Sequence, residues 1–326
     1  MGFSKKIRPD AVTTANTGFG NNASNYGGRL VNKDGTPNIE KTGLGPFERI
    51  SWFHSMLSIP RWRFFVIVLF FYVGVNLLFT LIYYFIGVEK LSGLNVVSER
   101  EKFTEAFFFS TQTFTTVGYG RISPTGFAMN AVSSFQALIG LLSFAVATGL
   151  MYGRFSRPKS FLRFGSNAII APYKDMTGLM IRVAPYKNTT LSDAEAILTM
   201  VIISEDHGKL SNKFYTLPLE LRTISSFTLS WTLVHPIDES SPLYGFTKED
   251  FANIKGEIMI YIKAFDDMFS NTVISRTSYT MDEVAYGVKF TPMFYRDDIK
   301  HTTMLDMNKL SAFEDAPMPA GSVTEN

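Results

Sequence analysis

The sequence predicts a membrane α plus all-β chain: two transmembrane helices around a short re-entrant helix and loop, followed by a β-sandwich. Three observations carry this. Two uncharged runs, 64–88 and 122–153, are each long enough to cross a bilayer. Between them, 106–120 is also uncharged but too short to cross together with its own loop. After Arg163, strand-length segments of β-branched and apolar residues alternate with Gly, Pro, Asn and Asp.

Composition agrees. Of 326 residues 46% are hydrophobic and 14% aromatic, including 30 Phe, which suits a chain divided between membrane and water. The formal net charge is +2 with no long block of like charges, so no nucleic-acid partner is expected. The absence of cysteine excludes disulfides, Cys-bound zinc and a thiol nucleophile. His54, His207, His235 and His301 are scattered without metal-ligand spacing and read as structural or surface residues. Neither an enzyme nor a resident cofactor is expected.

Residues 1–46 form an N-terminal segment. Its first 25 or so are rich in Gly, Asn, Thr and Ser and lack the apolar core of a signal peptide, which predicts an uncleaved, mobile start. Gly18 to Ala23 imitates a dinucleotide fingerprint, but no strand precedes it and no apolar helix follows. Arg29 to Ile39 reads as a short strand with a turn at Asp34-Gly35. Residues 47–60 carry an irregular apolar stripe of Phe47, Ile50, Phe53, Leu57 and Ile59 with Trp52, too short and polar to span, which predicts a helix lying in the interface.

Residues 61–88 are the first span, with Arg61, Trp62 and Arg63 at one end and Tyr83 and Tyr84 near the other as anchors. Residues 103–120 are the re-entrant helix and loop, and 122–155 the second span. Irregular backbone survives at membrane depth only where it is buried in protein or lines a water-filled path. Arg49, Arg61 and Arg63 precede the first span, while Arg154, Arg157, Lys159 and Arg163 follow the second. Both termini are therefore expected on the cytoplasmic side of the cell (inner) membrane.

Residues 160–300 are the expected sandwich, with strands at 179–183, 198–204, 214–221, 227–233, 257–265, 272–279 and 285–295. Residues 301–326 read as a tail, loose from 308 onward. Asn22-Ala-Ser24 and Asn188-Thr-Thr190 match a glycosylation acceptor pattern that the cytoplasmic placement makes irrelevant.

In the loop Thr116-Val117-Gly118-Tyr119-Gly120, glycines at alternate positions tolerate torsions that would turn carbonyls the same way, while Val117 and Tyr119 can point outward as wedges. This pentapeptide is similar to the selectivity filter of potassium channels, in which backbone carbonyls of four copies replace the hydration shell of K+. On the second span Gly140, Phe144, Thr148 and Tyr152 recur every four residues. If that face lines an axis, Phe144 and Tyr152 form hydrophobic constrictions; otherwise they pack against neighbouring helices. Gly149 and Gly153 allow close helix contact or bending.

From about Arg29 to the end of the sandwich the chain resembles the inward-rectifier potassium channels, in particular their prokaryotic (KirBac-like) branch. The resemblance rests on RLVNKDG, the helix leading to Arg61-Trp62-Arg63, TEAFFFSTQTFTTVGYG, GRFSRPK, SNAII and SWTLVHPIDESSPLYG. It implies a homotetramer with an immunoglobulin-like cytoplasmic β-sandwich, and gating by anionic lipid near the membrane–cytoplasm junction. It also implies K+ bound at Thr116, Val117, Gly118 and Tyr119, a cavity position at Phe144, a helix crossing at Tyr152, and lipid head groups at Arg61, Trp62, Arg63, Arg154, Arg157 and Lys159. These basic residues read equally as plain topology anchors.

Two positions depart from the animal members: Gln112 stands where they usually have glutamate, and Phe144 replaces the acidic cavity residue of strong rectifiers. Weak rectification follows, with Mg2+, polyamine or Ba2+ as candidate blockers. The alternatives are a channel-like subunit of a potassium uptake system, which would need repeated spans and filters, and a sandwich that binds a regulator above a mere membrane anchor. Asp206, Asp238, Glu239, Asp266, Asp267 and Glu283 offer carboxylates there, for a cation path or a solvated surface.

Overall fold

The computed structural model describes residues 13, 18–19, 28–45, 51–94, 98–206 and 209–319. The expected mobile start, the fingerprint-like stretch at 20–23, Phe47 to Ile50, His207, the Asp206 side chain and the tail beyond 319 lie outside the described residues. The chain divides into Thr42–Arg157 and a second unit of Met1–Lys41 with Pro158–Asn326.

In the first unit, α1 (Trp52–Ser58) starts at Ser51, whose side chain accepts from His54 N, and ends before Pro60. Proline at the residue before α2 (Arg61–Ile86) stops one helix and starts the next. The re-entrant helix α3 (Glu99–Phe114) begins four residues before the expected start at 103, because Ser98 and Glu101 form a capping box. A two-residue ladder of β1 (Leu91–Ser92) with β2 (Ser123–Pro124) ties the segments on either side of α3, and α4 (Gly126–Phe155) follows. Phe79, Tyr83, Ala106, Phe109 and Met129 form the shared core of α2, α3 and α4.

The second unit holds β3 (Leu162–Phe164), β4 (Ala168–Tyr173), β5 (Met176–Pro185), β6 (Leu191–Asp206), β7 (Lys209–Leu217), β8 (Thr223–Phe227) and β9 (Trp231–Ile237). After α5 (Lys248–Asn253) come β10 (Gly256–Asp266), β11 (Asn271–Thr280), β12 (Val284–Tyr286), β13 (Val288–Phe290), β14 (Phe294–Asp297), β15 (Thr302–Leu305) and β16 (Phe313–Asp315). One sheet runs β11-β10-β6-β7 with β8 also on β6; the other runs β12-β4-β5-β3 with β9 also on β5. Alternate residues face inward: Leu198, Met200 and Ile202 of β6 and Ile258, Ile260 and Ile262 of β10 meet Ile170, Leu179, Ile181 and Val183 from the other sheet. Truncating one such side chain costs about 2–5 kcal/mol. A surface pair such as Arg222–Glu195 contributes about 0–1, so the inward faces decide the fold.

Several expected boundaries change. The run at 227–233 crosses the turn between β8 and β9, and 285–295 breaks into β12, β13 and the start of β14. Their apolar residues continue through turns whose geometry leaves no gap in composition. The tail is not loose where it is described. Residues 302–305 return along β14, and 313–315 pair with β13. Leu310 and Met293 are buried together with Ala184, and this packing rather than strand propensity orders the segment.

The N-terminal segment docks on this same unit. Glu257, fully buried, accepts from Leu30 N (2.5 Å) and Val31 N (3.0 Å), and Glu283 pairs with Arg29 (2.5 Å) and Lys33 (3.0 Å). The expected turn forms with Gly35 at φ 82°, where a Cβ would lie 2.6 Å from the Arg276 carbonyl. Burial pulls the Lys33 ammonium below its ordinary value, and Glu283 opposes that pull.

His235 is structural. Nδ1 lies 2.7 Å from the Pro218 carbonyl, so it must donate, which leaves Nε2 to accept from Ser241 Oγ at 2.8 Å. Burial lowers its pKa from 6.5, favouring the neutral ring. The unfolded chain then binds the proton more readily, so stability is complete above about pH 6.5 and is lost as pH falls from there toward the folded value. Hydrogen-exchange protection of the sandwich should therefore decline on acidification below that pH, by at most about 1.4 kcal/mol per pH unit from this group. His235→Gln should flatten that slope; an unchanged slope would remove His235 as its source.

Candidate functional site

Helix α3 ends at Phe114, its C-cap Thr115 is still right-handed, and the backbone then alternates. Thr116 (φ 58°), Gly118 (φ 50°) and Gly120 (φ 81°) are left-handed, whereas Val117 and Tyr119 between them are not. Alternating hands along an extended loop turn successive carbonyls to one side. Glycine reaches these torsions freely; Thr116 does so at a cost of order 1 kcal/mol. The loop is hung from the helix it leaves: Val117 N and Gly118 N both donate to the Gln112 carbonyl at 3.0 and 3.4 Å, and Thr116 N to Thr113 O at 3.1 Å. Gln112 thus serves the loop through its backbone. Beyond the loop, Arg121 pairs with Glu105 of α3.

The helix that carries the loop is fixed from behind. A Cβ on Gly140 would stand 2.0 Å from the Phe114 carbonyl, so α4 meets the end of α3 backbone to backbone. Gly140 is accordingly buried, while Phe144 and Tyr152 are each 74% exposed in the single chain. The four-residue spacing drifts about 40° per step around a helix, so Phe144 lies only one step from Gly140, and it is the packing of α3 on Gly140 that buries the one and leaves the other exposed. A cavity of about 790 Å³ is bounded by Thr115 and Thr116, by Gly140 and Phe144, and by Phe71 and Tyr72 of α2. A Cβ on Gly153 would lie 3.3 Å from the Leu57 side chain of α1, and one on Gly149 would meet nothing within 4 Å.

Behind the loop, Asn76, Thr80, Tyr83, Ser110 and Gln136 have no exposed surface and bond across three helices. Interhelical hydrogen bonds at membrane depth contribute only about 0.6 kcal/mol each, but an unpartnered amide in hydrocarbon costs several kcal/mol. Sequence reasoning passed over both this cluster and the Arg121–Glu105 pair. The available signal was an amide within each of the two apolar spans, Asn76 and Gln136, where polar side chains are expensive.

The six basic and aromatic residues around the span ends divide. Arg154 donates to the Met56 carbonyl and, at 2.7 Å, to the Ile59 carbonyl, with Phe64 4.8 Å from its guanidinium. It caps α1 and is committed to that joint. Arg61 lies 5.7 Å from the Phe155 ring and Arg63 5.3 Å from that of Trp62, which is itself exposed; Arg157 is exposed. Lys159 belongs to the β-rich unit, where it lines a cavity of about 610 Å³ with Asp34, Tyr186 and Arg276.

The sandwich carboxylates are largely used locally. Asp238 accepts from Ser240, which holds its carboxyl below the ordinary range. Asp266 caps the turn at Met268 and Phe269, Asp267 takes the Ser192 hydroxyl, and Glu283 holds Arg29. Among the described residues no group of three or more His, Asp or Glu is placed to hold a metal ion.

The chain matches two family descriptions: "Inward rectifier potassium channel C-terminal domain" over 162–326 and "Ion channel" over 67–157. It is 34% identical over 274 residues to the inward rectifier potassium channel Kirbac3.1 of Paramagnetospirillum magnetotacticum, covering 82% of this chain and 89% of that one. Similarity extends to the human ATP-sensitive inward rectifier potassium channel 12, at 26% over 82% of this chain and 67% of the relative. It extends also to the mouse G protein-activated inward rectifier potassium channel 2, at 25% over 83% of this chain and 68% of the relative. With the two spans, the re-entrant helix and the β-rich domain in the same order, the chain belongs to the inward-rectifier potassium channel family.

Proposed function

We propose that four copies of this chain surround one axis and pass K+ down its electrochemical gradient through the loop 116–120. The observation that carries this reading is the alternation of left-handed torsions at Thr116, Gly118 and Gly120. One chain offers a single file of oxygens, and a dehydrated K+ needs several around it; four files supply them. Val117 and Tyr119, half to three-quarters exposed in one chain, are the apolar wedges that neighbouring copies cover. Thr116, Val117, Gly118 and Tyr119 bind K+, and Gly120 closes the outer end.

Below the filter, Phe144 and Tyr152 form two hydrophobic rings that close the path by excluding water. Both aromatics stand free of their own chain's core, as ring-forming side chains must. Gly153 lets α1 approach α4 closely, so movement of α1 reaches the lower second span. Anionic lipid and movement of the cytoplasmic domain are the gating inputs of this reading. Arg61, Trp62, Arg63, Arg157 and Lys159 meet anionic lipid head groups, each basic side chain gaining about 1 kcal/mol. Arg154 acts as the α1 joint. The basic residues flanking the spans support a reading with both termini in the cytoplasm and the channel in the inner membrane.

Rectification is weak. A multivalent blocker in a low-dielectric cavity gains several kcal/mol from a carboxylate about 5 Å away, and Phe144 supplies none. Phe144→Asp should strengthen voltage-dependent block by spermine or Mg2+; unchanged block would remove Phe144 from the conduction path. Phe144→Ala should raise 86Rb+ uptake into liposomes, and an unaltered rate would remove it from the gate. The wild-type chain should run as a tetramer, conduct Rb+ well above Na+, and be blocked by Ba2+. A monomer, or equal passage of Na+, would overturn the reading.

A further inference from the structure

The buried polar cluster behind the loop has a direction that a generic helix contact would not need. Tyr83 OH of α2 donates to Gln136 Oε1 at 2.5 Å. Gln136 Nε2 faces the Ser110 carbonyl at 3.0 Å and the Ser110 hydroxyl at 2.7 Å. The Ser110 hydroxyl in turn donates to Asn76 Oδ1 at 2.9 Å, and Asn76 Nδ2 donates to the Tyr72 carbonyl at 2.8 Å. The order of donors fixes the Gln136 amide: reversed, its nitrogen would face the phenol proton and its oxygen would face the Ser110 carbonyl. One amide therefore reads all three helices.

Its place on α4 matters as much. Gln136 lies one turn before Gly140, and Ser110 lies one turn before Phe114. The second span thus grips the re-entrant helix at two successive turns, once through the Gln136 amide and once through the contact of Gly140 with the Phe114 carbonyl. Between those two turns sits Gln112, whose carbonyl receives Val117 N and Gly118 N. Any rotation or slip of α3 against α4 is passed to the loop through that carbonyl and through the Thr113 carbonyl that receives Thr116 N.

We infer that Gln136 is a positioning residue for ion selection: its amide, with Ser110 and Asn76, sets the rotation and height of α3 and through it the spacing of the loop carbonyls. This rests on the conduction reading above. The loop can be hung correctly only while both turns of α3 hold their place, and the hydroxyl and amide bonds are directional where the apolar core around them is not.

The test is paired Rb+ and Na+ flux through the full chain in liposomes, with oligomeric state and thermal stability measured on the same samples. Gln136→Leu removes donor and acceptor together. Ser110→Ala deletes one hydroxyl without adding bulk, and serves if the first variant does not assemble. Gln136→Glu is the conservative variant, since a carboxyl held neutral by burial keeps one acceptor and one donor. In tetramers of wild-type thermal stability, Rb+ over Na+ discrimination should fall about tenfold in Gln136→Leu and several-fold in Ser110→Ala, the scale on which small misplacements of positioned groups are felt. Gln136→Glu should restore most of it. Assembled Gln136→Leu or Ser110→Ala tetramers that discriminate as wild type does would overturn the inference. So would loss of discrimination only in step with lost assembly, with no rescue by Gln136→Glu. A wild-type channel without discrimination would instead overturn the conduction reading, and this inference with it.

Discussion

A loop with left-handed torsions at every second residue has no ladder of its own to hold it. Its amides must find acceptors in whatever precedes it, and at membrane depth water cannot substitute. Here the acceptors are the last carbonyls of α3, above all that of Gln112. The loop therefore inherits its position from a helix of 16 residues that does not cross the membrane. Much of the membrane unit can be understood as a means of keeping that helix still.

Three devices do so, each with different physics. The capping box at Ser98 and Glu101 fixes where the helix starts. The Arg121–Glu105 pair and the β1–β2 clasp return the chain beyond the loop to the neighbourhood of that start. The approach of Gly140 to the Phe114 carbonyl, with the amide cluster one turn away, fixes where the helix ends. The first two tolerate some sliding. The last does not, because a backbone contact leaves no side chain to rearrange.

The β-rich unit is organised on another principle, a core of alternating inward residues from two sheets, and it adds segments that local sequence would leave out. The N-terminal hairpin is held by the buried Glu257 carboxylate, and 302–315 by strand pairing and the burial of Leu310. Both segments are short and weakly patterned. Each is ordered because the sandwich presents unfilled acceptors and an apolar recess, a property of distant residues and not of the segments themselves.

The two spans, the re-entrant run between them, the Thr116–Gly120 loop and most strands were legible in the sequence, because composition and periodicity act over neighbours along the chain. The alternation at Gly118 and Gly120 was legible too, since glycine announces the torsions it permits; that Thr116 joins it was not, because a threonine does not. What only the tertiary structure decided is which polar residues meet. Asn76, Ser110 and Gln136 are 26 to 60 positions apart, and Arg154 reaches α1 across 95 or more. Such pairings depend on helix rotation, which a run of apolar residues constrains on every side alike. The same reason divides Gly140 from Phe144: a four-residue spacing places both on nearly one stripe, and only the packing of α3 against α4 shows where that stripe is cut.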